Sequence, residues 1–246
     1  MKRRFALTCL TLVGLAVAGT SGSAAGPDYA LERSEMVRTI EAHAREAGPA
    51  LRDNAIDPNV LDVMAAVPRH EFVPEPLRAE SYADHPLPIG YGQTISQPFI
   101  VALMAQVLEV GSDSVVLEVG TGSGYQAAVL AKLVRHVYTI ELISELAKSA
   151  AERLRQMRYE NISVRQGDGY YGLPEAAPFD GIIVTAAAGH IPPPLLEQLK
   201  PGGRMVIPVG PPFGLQHLTV IEREPEGRVR THQLFPVRFV PLAGQH

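Results

Sequence analysis

Val115-Val-Leu-Glu-Val-Gly-Thr-Gly-Ser-Gly-Tyr125, followed after a helix-forming stretch by Val137-Tyr-Thr-Ile-Glu141, decides the fold of this chain. The apolar run Val115 to Val119 has the length of a buried strand. The glycines that follow, Gly120, Gly122 and Gly124, can take positive φ angles and leave no Cβ in the way of a ligand. A second strand, Val137 to Ile140, ends in Glu141, 21 positions after Gly120. In a βαβ unit this places a carboxylate where a ribose presents its hydroxyls.

The glycine spacing separates two classes of cofactor. Dinucleotide folds prefer G-x-G-x-x-G, with a helix N-terminus facing a pyrophosphate. Here the spacing is G-x-G-x-G, and an acid, Glu118, stands two positions before the first glycine. An anion there repels a pyrophosphate and attracts an ammonium or sulfonium. The unit therefore favours S-adenosylmethionine over a nicotinamide cofactor, with Thr121 and Ser123 part of the same binding loop. A glycine-rich β-α turn that binds nothing is the plain alternative.

Outward from this unit, strand and helix alternate. Ile143 to Met157 is an amphipathic helix, and Ile162-Ser-Val-Arg165 is a third strand running to Gly167-Asp-Gly169. Phe179 to Thr185 is a fourth strand, Leu195 to Leu199 a short helix stopped by Pro201-Gly-Gly203, and Met205 to Val209 a fifth strand. Alternation over about 100 residues predicts an α/β fold with a doubly wound, mostly parallel sheet. In the tail, His217 to Glu222 and Gln233 to Pro241 read as strands with no helix between them, an antiparallel edge pair. Toward the amino end, residues 26–34 form a polar lead-in, and Met36, Val37, Ile40, Ala44 and Ala47 recur at helical spacing until Gly48-Pro49. A short helix starts at Asp57-Pro58, and an apolar helix runs from Pro98 to Val110.

The first residues, Met1-Lys-Arg-Arg4, precede an apolar run from Phe5 to Ala18 and small residues ending in Ser23-Ala-Ala25. This is the pattern of a secretory signal, too short to span a membrane in comfort, so cleavage is expected in preference to anchoring. The product is then periplasmic or secreted. Internal initiation at Met36 is the route to a cytosolic form. Cleavage after Ala25 takes 25 of 246 residues and leaves 221, the size of a single domain. Its expected parts are a helical and substrate-loop region (26–110), a cofactor-binding core (111–210) and a strand pair (211–246). The single cysteine, Cys9, leaves with the signal, which excludes disulfides, thiolate metal sites and a cysteine nucleophile. Lys2, Arg3 and Arg4 leave too, so 22 basic residues against 26 acidic become 19 against 26, a net charge of −7. Arg153, Arg155 and Arg158 are helix-spaced and expected to be solvated, and no dense basic run remains for nucleic acid. His70-Glu71 does not make a zincin site, because Pro74 stands where the second histidine belongs, and no metal is expected.

Strand ends carry the remaining candidates. Asp168, followed by Gly169, can accept from an exocyclic adenine amine or close an Asx turn. Thr185-Ala-Ala-Ala188 leaves room for a ligand or for close packing.

Five segments together resemble the protein-L-isoaspartate O-methyltransferase family: Gly92-Gln-Thr-Ile-Ser-Gln-Pro98, Leu117 to Tyr125, Gly167-Asp-Gly169, Leu199-Lys-Pro-Gly-Gly-Arg204 and Val237-Arg-Phe-Val-Pro-Leu242. The glycine motif alone indicates a class I methyltransferase, and the first and last segments are far more specific. The resemblance implies methyl transfer from S-adenosylmethionine to the free α-carboxylate of L-isoaspartyl residues in damaged proteins. The ester then closes to a succinimide, whose hydrolysis returns some aspartate. It also implies that Ser96 is the active-site hydroxyl, that Thr94, Ile95 and Gln97 approach substrate or cofactor, and that Val240 pairs its backbone with an extended peptide. Read without the family, Ser96 serves equally well as a cap for the helix starting near Pro98. The family is usually cytosolic, and the leader is this chain's departure from it. A monomer without a stable membrane anchor is expected. Rival readings are a methyltransferase for an exported small molecule and a non-catalytic binding module on the same fold.

Overall fold

The computed structural model describes residues 28–48 and 51–244, and the expected signal segment lies outside them. Helix α1 (Ala30–Glu46) begins well before Met36, so most of the expected polar lead-in is helical. The Asp28 carboxylate accepts from the Ala30 N–H at 3.1 Å, which satisfies one of the amides that a helix start leaves bare. Met36, Ile40 and Ala44 form its buried face at four-residue spacing. Helix α2 (Pro58–Ala66) starts as its sequence predicts, with Asp57 accepting from Asn59 N–H at 2.7 Å and Pro58 in the first turn.

A hairpin that periodicity does not reveal follows, β1 (Leu87–Gly90) paired antiparallel with β2 (Gln93–Ile95). Strands of four and three residues, one holding Pro88, are too short to show alternation. The turn between them uses left-handed backbone at Tyr91 and Gly92, with φ of 53° and 72°. Helix α3 (Pro98–Val107) is buried nearly all round. Emptying one of its core positions, as in Leu103→Ala, costs about 2–5 kcal/mol. It ends before the expected Val110, because Glu109 takes φ 48° and is held there by Arg204 at 2.6 Å.

The remaining elements are β3 (Val115–Val119), α4 (Tyr125–Ala131), β4 (His136–Glu141), α5 (Ser144–Gln156), β5 (Ile162–Gln166), β6 (Phe179–Val184), α6 (Pro193–Glu197), β7 (Leu199–Val209), β8 (Gln216–Arg223) and β9 (Val229–Val237). Seven strands form one sheet in the order β5-β4-β3-β6-β7-β8-β9. The first five in that order are parallel, and β8 and β9 add antiparallel at the edge. The expected doubly wound sheet and antiparallel pair are both present. Pro201-Gly-Gly203 does not end a helix but lies within β7. Between Phe179↔Leu199 and Gly181↔Arg204 the pairing advances two residues on β6 and five on β7. Gly202, at φ 83°, and Gly203, whose added Cβ would lie 2.8 Å from the Asp180 carbonyl, make that bulge possible.

Alternation along the strands divides the core. Val116, Val137, Ile183 and Val206 face one side with α3 and α4, whereas Leu117, Val119, Ile182 and Met205 face the other. By the same alternation Glu118 and Thr139 lie on the α3 and α4 side, which brings an acid into the apolar layer beneath the glycine loop. The order of β4-β3-β6 reverses the winding direction at β3, and crevices for ligands open at the carboxyl ends of strands where this happens.

Candidate active site

A cleft of about 620 Å³ opens at that reversal, lined by Gly120, Gly122, Glu141 and Gly169 together with Thr94 and Val240. A second chamber, about 340 Å³, adjoins it and is lined by Ile95, Ser96, Glu118, Thr121, Ser123 and Gln126 among others. Thr94, Gly120, Gly122 and Thr185 border both. Residues expected to bind cofactor and residues expected to bind substrate are thus brought to one continuous space.

All three glycines of the loop have left-handed backbone, φ 97°, 52° and 88°, which side chains rarely tolerate. Gly120 is the tightest: an added Cβ would lie 2.5 Å from Thr185 Oγ1. That hydroxyl donates to the Gly120 carbonyl at 2.7 Å, so Thr185 packs closely and also borders the cleft. The Glu141 side chain is 6% exposed. Its Oε2 accepts from Gly122 N–H at 2.8 Å and its Oε1 from Ile143 N–H at 3.0 Å. The carboxylate braces the loop while facing the cleft, and each oxygen keeps a lone pair for a further donor.

Glu118 is fully buried. Thr139 Oγ1 donates to its Oε2 at 2.5 Å and lies 2.6 Å from Thr121 Oγ1. Since the Thr139 proton is committed to Glu118, Thr121 is the donor in the second contact. Burial pushes the Glu118 carboxyl up to about 8, against the opposing Thr139 and Ala127 hydrogen bonds and with help from the charge on Glu141. Oε1 is buried without a hydrogen-bond partner among the described residues. A bare acid oxygen under a cradle that any Cβ would crowd fits a ligand bearing cationic or donor groups, as S-adenosylmethionine does.

Ser96 does not cap α3. The cap position is Gln97, which makes no side-chain capping bond, and the Ser96 hydroxyl has no hydrogen-bond partner among the described residues. Its carbonyl accepts from Arg69 Nη2 at 2.6 Å. Gln97 borders neither space: its Nε2 donates to Asp84 Oδ2 at 2.7 Å. Asp168 also lines neither, and its Oδ1 accepts from Tyr170 N–H at 3.0 Å in an Asx turn that leaves Gly169 on the cleft wall. An added Cβ on Gly169 would lie 2.4 Å from Val119 Cγ1. The Val240 carbonyl accepts from Ala187 N–H at 2.8 Å, and Val240 lines the cleft.

Sequence reasoning missed two supports. Thr139 stands two residues before Glu141 on the same strand, a same-face spacing that was there to be used. Arg153, expected in solvent, donates to the Ser123 carbonyl at 2.9 Å from α5 and is more than half buried. Among the described residues no group of histidines, cysteines or acids could hold a metal ion. His70 is engaged by Tyr82 at 2.7 Å and by Glu71 at 3.3 Å.

A parallel sheet reversing at β3, with a glycine loop after β3 and acids at the ends of β3 and β4, defines a class I methyltransferase that uses S-adenosylmethionine. The chain belongs to the protein-L-isoaspartate(D-aspartate) O-methyltransferase family, whose sequence profile matches residues 49–246. It is 59% identical over 241 residues to protein-L-isoaspartate O-methyltransferase 2 of Syntrophobacter fumaroxidans, covering 98% of this chain and 97% of that one. It is 55% identical to protein-L-isoaspartate O-methyltransferase 1 of Cupriavidus necator, covering 91% and 86%. Among solved structures, a protein-L-isoaspartate O-methyltransferase superposes with a TM-score of 0.74 at 25% identity, over 86% of this chain and 66% of that one. A Plasmodium falciparum homologue in complex with S-adenosyl-L-homocysteine gives 0.71 at 25%, over 86% and 98%.

Proposed function

We propose that this protein repairs damaged proteins by methylating the free α-carboxylate of L-isoaspartyl residues. The observation that carries the reading is the shared border of the two spaces, which brings the Ser96 segment beside the glycine loop. S-adenosylmethionine supplies a methyl group on a positively charged sulfur, and transfer to a carboxylate oxygen gives an ester and S-adenosylhomocysteine. The cofactor set is Glu118, Gly120 to Gly124, Glu141 and Gly169, with Asp168 fixing the turn before Gly169. The acceptor set is Thr94, Ile95, Ser96, Gln97 and Val240, of which Gln97 and Val240 are also anchored by internal bonds.

The chemistry asks little of acids and bases. An α-carboxylate is ionised at neutral pH, so no general base is needed. The chain must strip water from the carboxylate, orient it and hold it still. The Ser96 hydroxyl, unspent by capping, donates to one carboxylate oxygen and leaves the other to attack. Methylation of an isoaspartyl peptide beside its aspartyl twin tests the proposal. Transfer to the first and not the second is expected, and equal or absent transfer overturns it.

The protein is also proposed to be exported and cleaved after Ala25. Support comes from Lys2-Arg3-Arg4, the apolar run and the small residues before Gly26. Sequencing the mature amino terminus tests this, and a terminus at Met36 alone overturns it.

A further inference from the structure

Arg69 lies outside the five quoted segments and is 0% exposed, and its guanidinium has no carboxylate within 4.0 Å among the described residues. Burying an unpaired cation is costly, and folds seldom retain one without a use. Its donors go to two backbone carbonyls that bracket the β1-β2 hairpin. Nε donates to Ser81 at 2.7 Å, ahead of β1, and Nη2 donates to Ser96 at 2.6 Å, after β2. The guanidinium carbon lies 4.9 Å from the centre of the Tyr125 ring, the first residue of the helix after the glycine loop. Nη1 is buried and has no partner. Asp84, which holds Gln97, likewise keeps one buried oxygen bare. Burial pulls the Arg69 guanidinium below its ordinary value, opposed by Tyr125 and by the charge on Asp84.

We infer that Arg69 is the positioning residue of the acceptor site: it fixes the Ser96 backbone so that the hydroxyl stays at the chamber. A planar guanidinium on an aromatic face reaches two carbonyls at once, whereas a lysine reaches one. Ser96 is thereby tied to the same aromatic ring that begins α4, so the acceptor segment and the cofactor loop share one rigid support. The inference rests on the proposed reaction, and its test separates the two.

The test compares wild-type protein, Arg69→Lys and Arg69→Met, each checked by thermal melting and by the calorimetric dissociation constant for S-adenosylhomocysteine. Wild-type transfer to the isoaspartyl peptide establishes the reaction independently, and its absence sinks the reaction and this inference together. With the reaction present, Arg69→Met is expected to bind S-adenosylhomocysteine as wild type does. Its kcat/KM for the peptide should fall by about tenfold or more, the worth of a charged hydrogen bond. Arg69→Lys, which reaches one of the two carbonyls, should lose kcat with little change in KM. A Met variant with wild-type kcat/KM overturns the inference. So does a loss of peptide turnover matched by an equal loss of S-adenosylhomocysteine binding, which marks a general defect. If Arg69→Met does not fold, Arg69→Lys alone decides, with unchanged kcat and KM counting against a positioning role.

Discussion

Gly120 and Thr185 touch so closely that no side chain can stand between them. A Cβ on Gly120 would lie 2.5 Å from the Thr185 hydroxyl, in a backbone conformation of φ 97°. Gly120→Ala is therefore expected to lose about 1–3 kcal/mol to backbone strain alone, with further loss from the clash and from displacement of the loop. Adding Thr185→Ala relieves the clash and leaves the φ. The double variant should thus regain part of the melting temperature and of the S-adenosylhomocysteine affinity. No recovery at all would show that Thr185 does not set the path of the loop.

Glu118 makes stability depend on pH. Its folded value near 8 exceeds the ordinary 4.5, so the folded state holds a proton that the unfolded state releases. The contribution is intact below 4.5 and is lost as pH rises toward and through 8. Unliganded protein should accordingly melt lower at about pH 9 than at about pH 6, and Glu118→Gln should flatten that dependence. A cation bound beside Glu118 favours its charged form, so binding S-adenosylmethionine near neutral pH should expel a proton. Calorimetry in buffers of different ionisation enthalpy reads this directly, and identical heats in all of them contradict it.

Glu141 accepts from two backbone amides, one of them in the glycine loop. Glu141→Gln keeps one good acceptor and should weaken cofactor binding by about tenfold or more, with little change in KM for peptide. An unaltered dissociation constant refutes the assignment.

Ser96→Ala should bind S-adenosylhomocysteine normally and lose about 10²-fold in peptide turnover, as expected when a reacting group is no longer held in place. Because Ser96 does not cap α3, the melting temperature should barely move. Near-normal turnover in this variant removes Ser96 from the reaction.

The parallel core was legible because its signals are local. Val115 to Val119 is apolar throughout and bounded by glycine, and the expected strand and the observed one have the same limits. The ends of α1 and α3 were not legible, because each depends on a contact or conformation that spacing does not encode. Glu109 takes the left-handed turn that a glycine usually takes, with Arg204 from β7 holding it. The β7 bulge misled for a similar reason: Pro201-Gly-Gly203 reads as a stop, and only pairing with β6 shows a strand detour. In the site, glycines and strand-end acids announce themselves by residue type. Arg69 and Arg153 do not, since an arginine looks solvated until the carbonyls it serves are brought to it from far along the chain.

The backbone bonds from Ala187 N–H to Val240 and from Leu242 N–H to Ala187 make the last stretch of the chain a wall of the cofactor cleft. During synthesis that wall is made after everything it must enclose. Residues 115–209 supply β3 to β7 and the glycine loop, but the pocket is closed only when Val240 and Leu242 have docked on Ala187. A chain that stops before Val240 lacks this wall, and the stabilisation that a bound ligand lends the folded state should fall with it.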